Sequence, residues 1–332
     1  MAIKKRKDAH LCYDVPIYNH IWPYLLQSRC DSLVFYDTEF DVTNTMRFVR
    51  EWNKSHPNLK TRLSTVLLAA IIRTIALRPK VNRFIANKTF WERDDLSLSF
   101  VVKKDLTEDS PETSTPLYFD RLGTFEETIS IIEKYVEDTK NQETTAEINK
   151  TDYTIATLFK FLPKWLIQAV VSYYGRKDRK GKGCPKWVRD ADGLHVSIFV
   201  ANIGSLGMKN AHHHHHLYEW GTTSLFCVIE DVSKRIQKDD DGKVVSSKDI
   251  MKCSFTLDER ICDGLYFMQT IALLSKILKE PETLLIPLKS SDLPHFVTRE
   301  EYQTNMKMTK LALKEAKKKE KLAKKEAKKL SK

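Results

Sequence analysis

The stretch MKCSFTLDERICDGLYFMQTIALLSKILKEPETLL, residues 251–285, changes its hydrophobic period halfway along. Met251, Cys253, Phe255 and Leu257 alternate with Lys252, Ser254, Thr256 and Asp258, the period of a half-buried strand. From Leu265 the apolar positions recur at helical spacing through Met268, Ile271, Ala272, Leu274 and Leu278, and Pro281 ends the run. A strand is therefore predicted to feed a helix through the connection Asp258-Glu259-Arg260-Ile261-Cys262-Asp263-Gly264. Such junctions hold polar loop side chains on two rigid elements, which suits a chemical site.

The chain of 332 residues is long enough for one large domain or two small ones, and 42% hydrophobic with 30% charged residues describes a globular protein. Most of the net charge of +11 lies at the C-terminus: residues 310–332 hold 11 Lys against 3 Glu, so the rest of the chain is close to balanced. The basic start, Met1 to Lys7, is followed by no apolar h-region, and no apolar run is long enough to span a bilayer. The six cysteines show no C-x-x-C spacing, so reduced thiols in a cytoplasmic protein are expected.

Upstream, Leu33–Phe40 reads as a strand, followed by a helix capped by Asp41 that carries Val42, Met46, Val49 and Trp52. A second helix is predicted over Arg62–Leu77, a strand over Leu96–Lys103, and a capping box at Thr124–Glu127 opens a helix to about Lys140. Between Asp152 and Gly183 an apolar, aromatic helix precedes a basic run, read as a cover over a substrate channel or a subunit contact.

The D-E-R-I-C-D-G of residues 258–264 resembles the D-H-R-x-x-D-G signature of the dihydrolipoyl acyltransferases, the catalytic cores of 2-oxoacid dehydrogenase complexes, and of chloramphenicol acetyltransferase. The resemblance implies an α/β (α+β) chloramphenicol acetyltransferase-like two-layer sandwich, a mixed sheet covered by helices, working as a homotrimer with sites between subunits. It covers roughly Tyr13 to Leu285. It implies a loop-bracing role for Asp263, and Arg260 and Gly264 match in place, while the general base of the family falls on Glu259. A Glu carboxylate titrates about two units below an imidazole. If about half of that is felt in the transition state, the lost basicity costs only about tenfold.

A second stretch, HVSIFVANIGSLG from His195, resembles the family's F-T-I-S-N-L-G-x-x-G, with Asn202, Gly204 and Gly207 matching and Ser205 inside the turn. The glycines are expected to need positive backbone dihedrals. Ala201 occupies the position of the Ser that in the family supports the oxyanion, a loss that costs about a hundredfold or more. AHHHHHLYEWGTTS, residues 211–224, resembles the H-H-L-Y-x-[FW]-G segment of stand-alone members that also carry D-E-R-I-C-D-G. By this pattern His215 or His216 replaces the missing base with Glu259 orienting its imidazole, and Thr222, Thr223 or Ser224 supplies a hydroxyl.

The same residues have plainer readings. Five consecutive histidines form a solvent-facing tract as readily as a site. His212 and His216 have the i, i+4 spacing of a zinc pair, but H-E-x-x-H is absent and no third ligand stands out, so no metal is expected. Cys262 fits packing better than nucleophilic attack.

The expected organisation is an acyltransferase-like domain over 1–298, with no lipoyl or subunit-binding module, followed by a C-terminal helix and Lys-rich tail over 299–332. The tail attracts RNA, DNA or anionic lipid without sequence preference, or serves only as a solubilising extension. Two function classes follow: an acyltransferase using a coenzyme A thioester as co-substrate, with no bound cofactor, and a catalytically inactive trimeric scaffold.

Overall fold

Odd and even residues of the stretch ending at Asp258 part company in the folded chain. Met251, Cys253, Phe255 and Leu257 enter the main core, while Ser254 turns the other way and donates a hydrogen bond to the Asp37 carboxylate. The computed structural model describes residues 6–103, 112–141, 162–191, 193–208 and 216–330. Its strands in chain order are β1 (Ala9–Leu11), β2 (Leu33–Asp41), β3 (Arg83–Ala86), β4 (Thr89–Arg93), β5 (Leu96–Phe100), β6 (Val102–Lys103), β7 (Glu112–Thr113), β8 (Leu117–Phe119), β9 (Ile198–Asn202), β10 (Leu225–Lys238) and β11 (Val244–Asp258). Its α-helices are α1 (Trp22–Leu25), α2 (Thr43–Ser55), α3 (Leu63–Leu77), α4 (Phe125–Asn141), α5 (Lys164–Arg179), α6 (Lys186–Arg189), α7 (Gly264–Lys279) and α8 (Arg299–Leu330).

The principal sheet has the order β2-β11-β10-β9-β5-β8. It is mixed, because β9 runs parallel to both β10 and β5 while the other pairs are antiparallel. A smaller sheet, β1-β4-β3, stands beside it. Helices α2, α3, α4 and α7 supply the other half of the core, so the fold is the expected two layers, sheet against helices.

The sequence of α3 explains its central place. LSTVLLAAIIRTIAL is apolar nearly all round, and every residue from Thr65 to Ala76 except Arg73 is buried. Arg73 reaches out and donates to the Leu284 and Ile286 carbonyls, tying down the segment after α7. Helix α7 is closed at its far end by α2: Thr45 donates to the Leu278 carbonyl and Asn44 to the Lys279 carbonyl, satisfying groups a helix C-terminus leaves unpaired.

The capping box legible at Thr124 forms. Glu127 accepts from the Thr124 amide at 2.9 Å and Thr124 Oγ1 from the Glu127 amide at 3.2 Å; Thr298 and Glu301 repeat the arrangement at 2.7 and 3.2 Å. At α2 the cap shifts by one. Val42 is the N-cap, and Asp41 ends β2 while accepting from the Thr43 amide and hydroxyl. The C-terminal segment forms one helix, α8, over Arg299–Leu330.

Residues 152–161 of the aromatic stretch lie outside the described residues. The remainder is α5, which buries only Gly175 and Asp178 and leaves Trp165 and Tyr173 exposed. Among the described residues no helix is long and apolar enough to cross a membrane.

Phe255 joins the layers, meeting Phe40 and Phe267 edge-on at centroid distances of 6.5 and 6.2 Å. Phe255→Ala is expected to destabilise the fold by about 3–5 kcal/mol, the usual cost of emptying a packed aromatic site, read as a lower urea midpoint with unchanged slope.

Candidate functional site

Strand β11 ends in a buried ion pair made within three residues. The Asp258 side chain, 0% exposed, accepts from Arg260 Nε at 2.8 Å and Nη2 at 2.7 Å, and from the Arg260 amide at 3.1 Å. The remaining edge of the guanidinium donates from Nη1 to the Leu26 carbonyl at 2.8 Å. A bidentate pair whose outer guanidinium edge also donates to a carbonyl is an arrangement in which burial of two charges is tolerated. Arg260 is thus turned inward, and Glu259 between the two partners is turned outward.

The segment around residues 26–32 clips the two sequence motifs to each other. It holds the D-E-R loop through Leu26 and through Ser32, whose carbonyl accepts from the Glu259 amide at 2.9 Å. It holds the segment after the five histidines through Arg29, whose Nη1 donates to the Tyr218 and Gly221 carbonyls at 2.7 and 3.1 Å. Glu219 answers with one oxygen, accepting from the Arg29 and Cys30 amides at 2.6 and 2.9 Å. Directly between the motifs, the Asp258 amide donates to the Ser224 carbonyl at 3.0 Å. Full burial depresses the Arg29 pKa, with Asp258 and Glu219 countering. Asp258 opens the D-E-R motif, whereas Arg29 and Glu219 are positioning residues that motif reading passes over, since neither belongs to a spacing that announces it.

Glu259 is exposed on this rim, and so is His216, whose ring lies 4.8 Å from that of Tyr218 and whose Nδ1 is 2.8 Å from the Leu217 carbonyl. Among the described residues no hydrogen bond or ion pair joins Glu259 to His216. His215 lies outside the described residues. Asp263 is the N-cap of α7, its Oδ1 accepting from the Tyr266 amide at 2.8 Å. At Gly264, the first residue of that helix, an added Cβ meets nothing within 4 Å.

The second motif forms a 3-10 turn at the end of β9. Asn202 accepts from the Ser205 amide at 3.2 Å through Oδ1, and Ser205 Oγ donates to the Asn202 carbonyl at 2.8 Å. Gly207 takes the left-handed conformation, φ 72°. Gly204 does not: a Cβ there would lie 2.5 Å from the Glu230 carbonyl, so the glycine serves close approach to β10 rather than a positive φ. Ala201 is buried with Ile203 and Val228 on the sheet face away from the helices.

Thr222, Thr223 and Ser224 are buried and already engaged. Arg93 donates to the hydroxyl and carbonyl of Thr222, Thr223 Oγ1 bridges the backbone of Val196, and Ser224 Oγ faces the Thr222 carbonyl at 3.4 Å. Their hydroxyls point into the scaffold behind the rim. Cys262 is likewise buried, and burial together with Asp263 pushes its thiol up to about 12.

The chain matches no protein-family model and no curated protein. Solved structures give the fold. The chain is similar to a probable dihydrolipoamide acetyltransferase from Listeria monocytogenes 4b F2365 at 13% identity, covering 80% of this chain and 94% of that one, TM-score 0.51. It is also similar to the Azotobacter vinelandii dihydrolipoamide acetyltransferase (12% identity, 82% and 93% covered, TM-score 0.49) and to a chloramphenicol acetyltransferase (13%, 84% and 100%, TM-score 0.45). The mixed sheet and its helical layer share their fold with the Listeria monocytogenes structure.

Removing one member of the buried pair tests the positioning role. Asp258→Ala strands Arg260 and is expected to cost about 3–5 kcal/mol in denaturant unfolding, with Asp258→Ala/Arg260→Leu less destabilised than the single variant. The thiols give an independent check. Alkylation of native protein at pH 8 followed by mass mapping should label exposed Cys30 first and leave Cys262, whose thiolate fraction is on the order of one in ten thousand at that pH.

Proposed function

We propose that the protein transfers an acyl group from a coenzyme A-type thioester to a small nucleophilic acceptor, with Glu259 at the centre of the site. The observation that carries this reading is the placement of Glu259. It is an outward carboxylate on a loop immobilised at both ends, by the Asp258–Arg260 pair before it and the Asp263 cap after it. A base needs that fixation more than it needs high basicity.

In the reaction, the acceptor X–H loses its proton to Glu259, directly or through His215 or His216 oriented by it. The freed X lone pair attacks the thioester carbonyl, giving a tetrahedral oxyanion. Collapse breaks the C–S bond, the thiolate leaves as coenzyme A and takes back the proton, and acyl-X is released. Ala201 has no hydroxyl to donate to the oxyanion, and Thr222, Thr223 and Ser224 face inward, so the donor comes from backbone amides or from a second copy of the chain.

A homotrimer completes the site. Ile17, Tyr18, Tyr24 and Leu25 before the clip, and Leu265 at the head of α7, are each more than half exposed. Exposed apolar side chains on the segment leading into the clip and on the first turn of α7 are the kind of surface that another chain covers. The open space at Gly264 lies on the same edge. Asn202, Gly204 and Ser205 shape the neighbouring turn, and Arg260 acts from behind the site.

A second reading rests on Ala201 and the occupied hydroxyls: the same trimer as a catalytically inactive scaffold. Thiol release from a panel of acyl-CoA donors with amine, hydroxyl and thiol acceptors separates the two. The acyltransferase reading expects turnover in the wild type and a loss of about 10²–10⁴-fold in kcat/KM for Glu259→Gln, with light scattering showing three chains in both proteins. A folded trimer without turnover for any donor supports the scaffold.

A further inference from the structure

Away from this rim, three side chains from separate segments converge behind β9. Asp178 lies in the last turn of α5, Cys184 follows that helix, and His195 precedes β9. One ligand-type atom from each lies within 4.8 Å of the others, and His195 Nε2 is 3.9 Å from Asp178 Oδ2.

The local sequence builds this cluster. Helix α5 ends in two backbone bonds, Gly181 amide to the Asp178 carbonyl at 2.8 Å and Lys182 amide to the Lys177 carbonyl at 3.1 Å, with Gly181 left-handed. Gly183 is left-handed as well, φ 70°, and a Cβ there would lie 3.0 Å from the Asp8 carboxylate. Two reversals in three residues fold the chain back beneath the helix, and Cys184 Sγ arrives 3.7 Å from the Tyr174 carbonyl. His195 is fixed from outside by Trp220, edge-on at 5.9 Å. Its side chain is 1% exposed and that of Asp178 8%.

Among the described residues the Arg6 guanidinium meets the Asp178 carboxylate and is shared with Asp8, while Arg93 Nη1 lies 3.4 Å from the His195 carbonyl. Asp8 takes the Arg6 Nε and Nη2 at 3.0 and 2.8 Å, while Nη2 also reaches Asp178 Oδ1 at 2.7 Å. Oδ2 of Asp178 is the oxygen that faces His195. A carboxylate with one oxygen oriented by an outer partner and the other turned to an imidazole is how metal ligands are commonly held.

We propose that Asp178, Cys184 and His195 bind one transition-metal ion of the zinc class, with a fourth position left to water or a backbone carbonyl. Thiolate, imidazole and carboxylate together are a zinc or cobalt donor set. Bond lengths of about 2.0–2.3 Å in a tetrahedron put ligand atoms roughly 3.3–3.8 Å apart, so closure around an ion shortens the present separations, all within 4.8 Å, by at most about 1.0–1.5 Å. On binding, the Cys184 S–H proton leaves to solvent and the sulfur takes the metal. The ion would staple the end of α5 to the lead-in of β9.

Cobalt(II) titration of protein purified without nickel columns tests this, because a thiolate-to-cobalt charge-transfer band reports a Cys–metal bond that the five-histidine run cannot produce. The expected result is a band saturating at one cobalt per chain, bleached by added zinc. It should persist in Cys30→Ser and after replacement of His212–His216 by Ser, be lost in Cys184→Ser and Cys184→Ala, and weaken by at least about tenfold in His195→Gln. Absence of the band in folded wild type, or its survival in either Cys184 variant, overturns the proposal.

Discussion

The ion pair between Asp258 and Arg260 is the interaction on which the rest of this structure depends. Both side chains are removed from water, at 0% and 4% exposure, which is costly unless each charge is fully matched. It is matched here by a two-residue spacing that lets the guanidinium fork close on its own strand end and donate from Nη1 to the Leu26 carbonyl. The consequences are directional: the residue between them must point outward, the segment 26–32 must come alongside, and α7 must leave from Asp263 at a fixed angle. The rim is therefore set by electrostatics inside the protein rather than by contacts on its surface.

The same logic separates the two faces of the sheet. On one, alternate residues of β9, β10 and β11 meet four helices in a continuous apolar core. On the other the pattern is mixed. Phe199, Phe226 and Leu217 pack together, whereas Asp37, Glu39, Glu230, Lys252 and Ser254 line a concavity of about 380 Å³. A sheet covered by helices on one face only is an architecture open to a neighbour or ligand on the other. The motif turns stand at that boundary, with a dry scaffold behind and a polar rim ahead.

Sequence reading recovered much of this because its strongest signals are local. The change of period at Asp258, the apolar run of α3 and the T-x-x-E box at Thr124 are set by neighbours within a few residues, and each formed. It placed the Asp41 cap one residue early, since helix boundaries depend on hydrogen bonds that spacing does not fix. The reading of Gly204 as a positive-φ glycine failed for a different reason: its requirement is the backbone of β10, some 26 residues away. Arg29 and Glu219 were invisible for the same cause, and the convergence of Asp178, Cys184 and His195 follows no spacing that a metal motif would show.

By itself the sequence determined the strand–loop–helix junction, the inward and outward alternation of β11 and the capping box at Thr124, because hydrophobic period and capping chemistry act over short separations. Only the tertiary structure decided which polar residues face outward. Thr222, Thr223, Ser224 and Arg260 look like site residues in the sequence and are consumed by buried hydrogen bonds, while Glu259 is left free at the surface. That allocation belongs to partners brought together from across the chain. A buried donor or acceptor must find its match wherever the fold supplies one, and no local pattern records where that will be.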